Sequence, residues 1–408
     1  MRILFLSHYF QPEPNFFFGL PFAKEFARRG HEVEVLTGFP NYPAGKIYDG
    51  YHTRLLQRET LEGVRINRVP LYPSHDNSSF KRILCYTSFA ISASTIGAGA
   101  VKRADIAHVI QGPITVGLPA WALKILKGIP FVLHIQDLWP DSLLSTGMFS
   151  NQFGLKIVNG ICKSIYKRAA KIVVITPGMK KRLIERGVPE GKIDVIYNWC
   201  DDSQICSVKG DVALSKSLGL ADKFNIVFAG NMGKAQALGP VIDAAKIIEN
   251  KNSDIQFVLV GSGVDVDMLK QKTAELKLKN VLFLPRRPVS EIGTILSLAD
   301  VLFVHLKKDP LFEITIPSKT QAYLASGRPI LMGVPGDATD LITKANAGFP
   351  CEPENPQSIA EAIFKFYSIP HEQREAMGQN GKKFYEQELS FNMAVTRFEK
   401  IFTMAAAK

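Results

Sequence analysis

Apolar positions along the chain follow two different spacings. Short continuous apolar runs, the first at Arg2–Ser7, are separated by longer segments with apolar residues three and four positions apart. Continuous runs are typical of buried parallel strands, and the wider spacing is typical of amphipathic helices. In the first half the predicted strands are 2–7, 32–37, 64–69, 106–110, 131–135 and 172–175. Strands that alternate with helices predict a doubly wound α/β sheet.

The same pattern restarts after residues 198–210. The second set of predicted strands is 226–229, 256–260, 281–284, 301–306 and 329–332. At 408 residues, two α/β domains in tandem are the simplest architecture, with bounds of 1–200 and 201–390. The last helical pattern, 391–408, is compatible with packing on either domain, including a return to the first.

One uncharged segment is close to the length of a membrane-spanning helix. Residues 83–101 contain 19 positions without a charged side chain. The Ser, Thr and Gly residues within it favour a core helix of a soluble protein, and a helix that lies on the bilayer surface is the alternative. Basic pairs flank the segment at Lys81-Arg82 and Lys102-Arg103, which fits both interpretations.

The net charge of +11 lies entirely in the first half. Residues 1–200 contain 25 Lys and Arg against 14 Asp and Glu, whereas residues 201–408 contain 24 of each. This excess favours an anionic partner of the first half, such as a membrane surface or a phosphorylated acceptor. Nucleic acid is not expected, because no recognition helix or aromatic platform accompanies the basic residues.

The cysteine spacing and the N-terminal segment argue against a cysteine metal site and against a signal peptide. No Cys-x-x-Cys spacing occurs, so we expect no metal site and a reducing compartment. The apolar run at the N-terminus is too short for the core of a signal peptide. It is predicted to be a buried first strand.

Strand ends in the second half contain residues suited to a nucleotide diphosphate. Carboxyl ends of parallel strands form the ligand-binding edge of such a sheet. Glycines there allow close backbone approach, and Lys or Arg provides a cation. The Gly-Lys-Ser/Thr ending of a P-loop is absent. The candidates are Gly230, Asn231, Gly233, Lys234, Gln236, Gly261, Gly263, Arg286 and Arg287.

A loop and helix after strand 301–306 add a second phosphate-binding signal. Pro317 suits the first turn of a helix that Gly327 ends. Free N–H groups at a helix N-terminus suit a phosphate, which makes Ile316, Pro317, Ser318 and Lys319 candidates. Glu313, just upstream, is placed to accept hydrogen bonds from sugar hydroxyls. An ordinary strand, loop and helix with a surface glutamate is the alternative.

Two stretches of the first half are expected to face the same kind of edge. His134 and Asp137 lie at the end of strand 131–135, where they suit sugar-hydroxyl binding or proton transfer. A core histidine and a helix-capping aspartate are the alternatives. The loop after the first strand contains three consecutive phenylalanines, which favour an apolar or lipid acceptor unless they are core. Its candidate residues are Asn15, Phe16, Phe17, Phe18 and Gly19.

Four segments together resemble the glycosyltransferases of family 4, retaining enzymes with two facing Rossmann-like domains, the GT-B fold. The segments are GHEVEVLTGFPNYP (30–43), DLWPDS (137–142), AGNMGKAQ (229–236), and PSK (317–319) with ASGRP (325–329). The likeness is strongest to the bacterial surface-polysaccharide branch, which includes L-fucosamine and colanic-acid sugar transferases. It implies an interdomain cleft, a nucleotide-diphosphate sugar as donor, and an undecaprenyl-diphosphate-linked saccharide as acceptor. It also implies no metal or other cofactor, and a peripheral position on the inner face of the cell membrane.

The resemblance implies roles for the matching residues. Glu313 would hold the donor sugar, and Lys234 would hold the diphosphate. The amides of 316–319 would bind the distal phosphate, and loop 286–288 would bind the base. His134 or Asp137 would face the reacting sugar. The chain departs from the family at three places. Asn231 and Gln236 stand where the family has Arg and Lys, Ala322 stands for a ribose-binding Glu, and the first loop keeps one glycine, Gly19.

The predicted function is therefore a retaining transfer of a deoxy- or N-acetyl-hexosamine type sugar, with a UDP-linked donor expected, in O-antigen, capsule or exopolysaccharide assembly. Three alternatives stay open. They are a transferase that uses a GDP-linked fucose or mannose, a nucleotide-sugar 2-epimerase of the same fold, and a non-enzymatic basic membrane-binding protein.

Overall fold

The chain forms two compact α/β units in the computed structural model, which describes residues 1–14, 17–75, 78–145, 152–205 and 212–407. Unit 1 comprises Met1–Ile196 and Val395–Lys408, and unit 2 comprises Tyr197–Ala394. The C-terminal residues from Val395 onward thus belong to the first unit.

Unit 1 contains an eight-stranded sheet in the order β3-β4-β2-β1-β5-β6-β7-β8. Neighbouring strands are parallel except β3, which pairs antiparallel with β4. The central strands are buried on both faces, as their continuous apolar runs predict. The strands are β1 (Arg2–Ser7), β2 (Glu32–Gly38), β3 (Gln57–Leu61), β4 (Val64–Val69), β5 (Ile106–Gln111), β6 (Phe131–Ile135), β7 (Lys171–Val174) and β8 (Ile193–Val195).

The helices of unit 1 cover the sheet. They are Leu20–Arg28, Ser79–Ser92, Ala98–Ala100, Gly117–Lys127, Asp141–Ser145, Gln152–Arg168 and Pro177–Glu185, with short 3₁₀ turns at Ile114–Val116 and Glu190–Lys192. The final helix, Phe391–Ala406, contributes Phe398 and Phe402, whose rings lie 5.5 Å from those of Phe22 and Phe26 respectively. Glu399 also accepts from Arg29 at 2.9 Å, which ties the chain terminus to the first helix.

The uncharged segment forms one long helix with two different faces. Ser79–Ser92 continues through a π-helical turn at Ala93–Gly97 to Ala98–Ala100. One face packs on the sheet, where the Leu36 side chain lies 2.8 Å from the position of a Cβ on Gly97. On the other face, Phe80 and Ile91 are 74% and 66% exposed. By length and composition alone, residues 79–100 would suffice to cross a membrane, a criterion that core helices also meet.

Unit 2 contains a six-stranded parallel sheet in the order β11-β10-β9-β12-β13-β14. Its strands are β9 (Phe224–Asn231), β10 (Ile255–Ser262), β11 (Val281–Leu284), β12 (Val301–His305), β13 (Ile330–Gly333) and β14 (Gly348–Pro350). Its helices are Asp202–Ile205, Val212–Ser217, Gly239–Glu249, Val266–Glu275, Val289–Ser297, Pro310–Glu313, Ser318–Ser326, Asp337–Lys344, Pro356–Ser368 and His371–Glu388.

Each sheet has one point at which the strand order reverses. In unit 1 this point lies between β1 and β5, and in unit 2 between β9 and β12. The β9–β12 pairing covers only Ile226 with Val301 and Val227 with Leu302, so the two strands separate toward their carboxyl ends. Ligands of open α/β sheets bind in the crevice at such a point.

Three strands are absent from the predicted set. β3 is an exposed edge strand of charged and polar residues, joined to β4 by the positive-φ turn Glu62-Gly63, and its composition resembles a loop. β8 and β14 have three residues each, too short for a periodic signal.

Candidate active site

The crevice of unit 2 is bridged at its base by a tyrosine. Beyond the last β9–β12 pair, the backbone of Ala229 bonds the Tyr323 hydroxyl rather than β12. The hydroxyl accepts from the Ala229 N–H at 2.8 Å and donates to the Ala229 carbonyl oxygen at 3.3 Å. This bridge fixes helix Ser318–Ser326 against the end of β9.

Lys319 lies one helical turn before Tyr323 and points its ammonium group into the crevice. Its Nζ is 3.5 Å from the centroid of the Phe228 ring and 3.3 Å from the position of a Cβ on Gly230. The Nζ atom is buried and has no hydrogen-bond partner among the described residues. Desolvation lowers the pKa of this amine from 10.5 to about 7.

The same helix begins with free backbone donors. Pro317 is the N-cap and provides no side-chain cap. Thr320 N–H bonds the Pro317 carbonyl oxygen at 2.8 Å, whereas no acceptor within the described ranges reaches the N–H groups of Ser318 or Lys319. Two unpaired amides and the positive end of the helix dipole therefore accompany the buried amine, an arrangement that suits a phosphate.

The glycine turn after β9 is shaped by its own polar side chains. Gln236 Oε1 accepts from the Gly233 N–H at 3.1 Å and from Asn231 Nδ2 at 3.4 Å. Asn231 and Gln236, which stand where the family has two cations, thus bond each other within the turn. Lys234 is exposed on the same turn.

Gly261 and Gly263 are crowded by the protein's own backbone. Both have φ near +150°, and a Cβ would lie 2.0 Å from the Gly230 carbonyl oxygen at Gly261 and 2.2 Å from that of Met232 at Gly263. These glycines allow the ends of β9 and β10 to pack against each other. Their geometry is accounted for by this packing, without a ligand.

His305, which ends β12, was not among the sequence candidates. Its Nδ1 lies 2.7 Å from the Gln236 carbonyl oxygen, and its Nε2 accepts from the Glu354 N–H at 3.0 Å. These partners assign the neutral tautomer with the proton on Nδ1. Burial lowers the pKa of His305, so it stays neutral and holds the glycine turn against β12. A histidine at the end of an apolar strand was the only sequence signal for this role.

The remaining candidates of unit 2 differ in exposure. The Glu313 side chain is exposed at the end of helix Pro310–Glu313, and the Glu313 carbonyl oxygen would meet a Cβ on Gly336 at 2.0 Å. Ile316 is buried. Arg286 is exposed after β11, and Arg287 pairs with Glu291 at 3.5 Å. Ala322 is half-buried and offers no polar side chain.

Unit 1 has a pocket of about 180 Å³ at its own reversal point. The ends of β1, β5 and β6 line it, together with the first loop; the residues are Ser7, His8, Tyr9, Pro14, Phe17, Phe18, Tyr42, Ile110, Gly112, Pro113 and Gln136. Buried Glu13 anchors this loop, because its carboxylate accepts from the N–H groups of Asn41 and Tyr42 at 2.7 and 2.8 Å.

His134 lies below this pocket, in the core. It is 0% exposed, with its Nδ1 3.2 Å from His108 Nε2 and its ring 4.5 Å from that of Phe18. Burial lowers the pKa of His134 to about 3. The imidazole is therefore neutral near pH 7, and its surroundings match the core-histidine alternative.

The other candidates of unit 1 divide between core and surface. Phe18 is 3% exposed and packs in the core, as the alternative for the three phenylalanines anticipated, and both Phe17 and Phe18 line the pocket. Gly19 is the N-cap of helix Leu20–Arg28. Asn15 and Phe16 lie outside the described residues. Asp137 is exposed after β6, and partial desolvation by the surrounding protein raises the pKa of its carboxyl.

Sequence comparison identifies both units. Residues 20–199 match the family described as "Glycosyl transferase 4-like domain", and residues 213–384 match "Glycosyl transferases group 1". A similar curated protein is the putative colanic acid biosynthesis glycosyl transferase WcaI of Escherichia coli K12, 28% identical over 359 residues, which are 84% of this chain and 86% of WcaI.

Solved structures share the fold. Sucrose-phosphate synthase of Thermosynechococcus elongatus has a TM-score of 0.68 at 14% identity, with 100% of this chain and 99% of that chain covered. Anabaena HepE in complex with UDP-glucose has a TM-score of 0.67 at 16% identity, with 99% and 100% covered. The two family matches, the two parallel α/β units and these neighbours together establish that the chain belongs to the family 4 glycosyltransferases and has the GT-B fold.

Proposed function

We propose that this glycosyltransferase binds a nucleotide-diphosphate sugar in unit 2 and transfers the sugar, with retention, to a lipid-diphosphate-linked saccharide. One observation carries the donor assignment. Helix Ser318–Ser326 presents two unpaired N–H groups at the point where the strand order of unit 2 reverses. Such a point is where α/β sheets bind nucleotides, with phosphates at a helix N-terminus.

UDP is the nucleotide that we propose first. The support is the HepE structure, which has the same fold and contains UDP-glucose. A transferase that uses a GDP-linked sugar is the alternative.

The acceptor proposal rests on unit 1 and on WcaI, whose name assigns it to colanic acid biosynthesis. We expect an undecaprenyl-diphosphate-linked saccharide on the inner face of the cell membrane, where the enzyme would be peripheral. Two features support this. The charge excess of +11 lies in residues 1–200, and helix 79–100 exposes Phe80 and Ile91.

In the proposed reaction the bond between the sugar C1 and the diphosphate oxygen breaks, and a bond from C1 to the acceptor oxygen forms on the same face. The acceptor proton passes to the departing diphosphate. The main catalytic requirement is therefore to stabilise the negative charge of the leaving group, which donors at the helix N-terminus provide. Glu313 would position the sugar through its hydroxyls.

Thermal unfolding in the presence of UDP, GDP, ADP and CMP tests the donor assignment. A ligand at 100 times its dissociation constant stabilises the folded state by about 2.7 kcal/mol. We expect a rise in Tm with UDP, or with GDP if the alternative holds, and none with CMP, which lacks a diphosphate. The absence of any shift with all four nucleotides would remove the proposed function.

A further inference from the structure

Among the residues that the structure describes, none provides a counter-charge to the buried ammonium group of unit 2. Lys319 Nζ has the face of Phe228 on one side and the Gly230 backbone on another, but no acceptor. A buried cation without a hydrogen-bond partner opposes folding unless it is compensated. The aromatic ring compensates in part, since its face attracts a cation.

The titratable neighbours provide no compensation. His305, on β12, is neutral and already bonded at both ring nitrogens, and the Tyr323 hydroxyl is occupied by Ala229. From the glycine turn the nearest titratable side chain in sequence is Lys234, a like charge, and it is exposed. Burial alone lowers the pKa of Lys319, with no carboxylate to oppose it. The ammonium form of Lys319 is thus left without a compensating anion among the described residues.

We propose that Lys319 Nζ, rather than Lys234, is the cation that binds the diphosphate of the donor in this protein. This inference rests on the proposed function, because it concerns the same donor site. Helix Ser318–Ser326 would then offer three donors to the diphosphate: the Lys319 ammonium group and the N–H groups of Ser318 and Lys319. In the glycine turn, by contrast, the side chains of Asn231 and Gln236 already bond each other.

Binding should then be coupled to proton uptake. In the free protein the pKa of Lys319 is about 7, so above that pH most molecules hold a neutral amine. A bound diphosphate favours the ammonium form and raises the pKa, so each binding event above pH 7 takes a proton from solution. Affinity must therefore fall as pH rises, by up to about tenfold per pH unit. The second ionisation of a terminal phosphate lies near pH 6 and does not contribute above pH 7.

Isothermal titration of the full chain with UDP and with GDP tests this, between pH 7.0 and 8.5 and in two buffers of different ionisation enthalpy. For the wild type we expect proton uptake that increases from pH 7.0 to 8.5 and approaches one proton per bound nucleotide. Lys319→Met should weaken binding about 10- to 100-fold and abolish the proton uptake. Lys319→Arg, which is always charged, should bind without proton uptake.

Two variants serve as comparisons. Lys365→Met removes a lysine whose Nζ also lies over a phenylalanine ring, 3.8 Å from the centroid of Phe349, but which is exposed. It should leave affinity and proton uptake unchanged. Lys234→Met should weaken binding less than Lys319→Met.

Stability separates a binding role from a structural one. Because Lys319→Met replaces a buried unpaired cation by an apolar group of similar length, the ligand-free Tm at pH 7 should rise or stay the same. A nucleotide that binds without proton uptake, or that binds Lys319→Met as tightly as the wild type, would overturn the inference and leave the proposed function standing. Failure of both UDP and GDP to bind the wild type would instead remove the proposed function.

Discussion

Single residues of the donor site differ in whether their polar groups already form hydrogen bonds within the protein. The side chains of Asn231 and Gln236 bond within the glycine turn, and His305 bonds at both ring nitrogens. Lys319 Nζ is buried without a partner, and the Glu313 carboxylate is exposed. The side chains that already have partners shape the site, whereas the Lys319 ammonium group and the Glu313 carboxylate are available to a ligand.

Sequence reasoning identified Lys319 only for its backbone amide. Its ammonium group is buried because β9 and β12 separate after two paired positions, which leaves a crevice beside Phe228 and Gly230. That separation is tertiary and has no local sequence signature. Lys234, which motif position favoured, is exposed for the opposite reason: its turn projects beyond the sheet.

Glu313→Gln tests the sugar-positioning role. The exposed carboxylate has no role in packing, so the free energy of unfolding should change by less than about 0.5 kcal/mol. Turnover should fall by about tenfold to a thousandfold, because a positioning contact to the reacting sugar is weakened. Turnover of the variant and of the wild type is compared as the rate of nucleotide release. The assay contains the nucleotide-sugar donor that binds, and a membrane lipid extract supplies the acceptor. Near-normal turnover would contradict the assignment of Glu313.

At the scale of elements, the prediction of the fold succeeded where strands are buried. Continuous apolar runs located the central strands of both sheets, and Pro317 and Gly327 correctly bracketed helix Ser318–Ser326. Gly327 takes φ +72°, the left-handed C-cap that the sequence indicated. The edge strand β3 and the short strands β8 and β14 were not predicted, because hydrogen bonds to neighbouring strands, rather than composition, make them strands.

Helix 79–100 is the element whose role the sequence left open. Its inner face packs on the sheet, and its outer face is apolar, with a shallow pocket of about 340 Å³ lined by residues that include Thr87, Ile91 and Leu118. Packing on one side and exposed apolar side chains on the other are what a helix needs to rest on a bilayer surface.

Vesicle co-sedimentation tests this helix. The wild type should sediment with anionic vesicles and less with neutral ones, and binding should weaken in high salt. The double variant Phe80→Ser, Ile91→Ser should lose most of this binding, because the apolar contact is removed. Leu55→Ser, at a 74% exposed loop residue of the same unit, is the matched control and should bind normally. Wild-type binding by the double variant would exclude this helix as the contact.

At the scale of the whole molecule, buried histidines make stability depend on pH. His8, His108, His134 and His305 are buried, and burial lowers the pKa of each, to about 3 for His8 and His134. Between these values and 6.5 the unfolded chain binds more protons than the folded one. The contribution of the buried histidines to stability is therefore complete above pH 6.5 and is lost on acidification.

Urea unfolding at pH 7.0, 6.0 and 5.0 measures this dependence. Each histidine that stays neutral in the folded protein lowers the free energy of unfolding by about 1.4 kcal/mol for each pH unit below 6.5. The three histidines of unit 1 should make it the more acid-sensitive of the two units. A free energy of unfolding that stays constant from pH 7.0 to 5.0 would contradict the burial of uncharged imidazoles.

The family and both α/β units follow from motifs that span most of the chain, whereas the identity of the phosphate-binding cation follows only from the packing of unit 2. A crystal structure of the full chain with bound UDP or GDP, whichever raises the Tm, tests that central claim most directly. We expect diphosphate oxygens within hydrogen-bond distance of Lys319 Nζ and of the Ser318 and Lys319 N–H groups. A diphosphate bound to Lys234, or away from helix Ser318–Ser326, would contradict it.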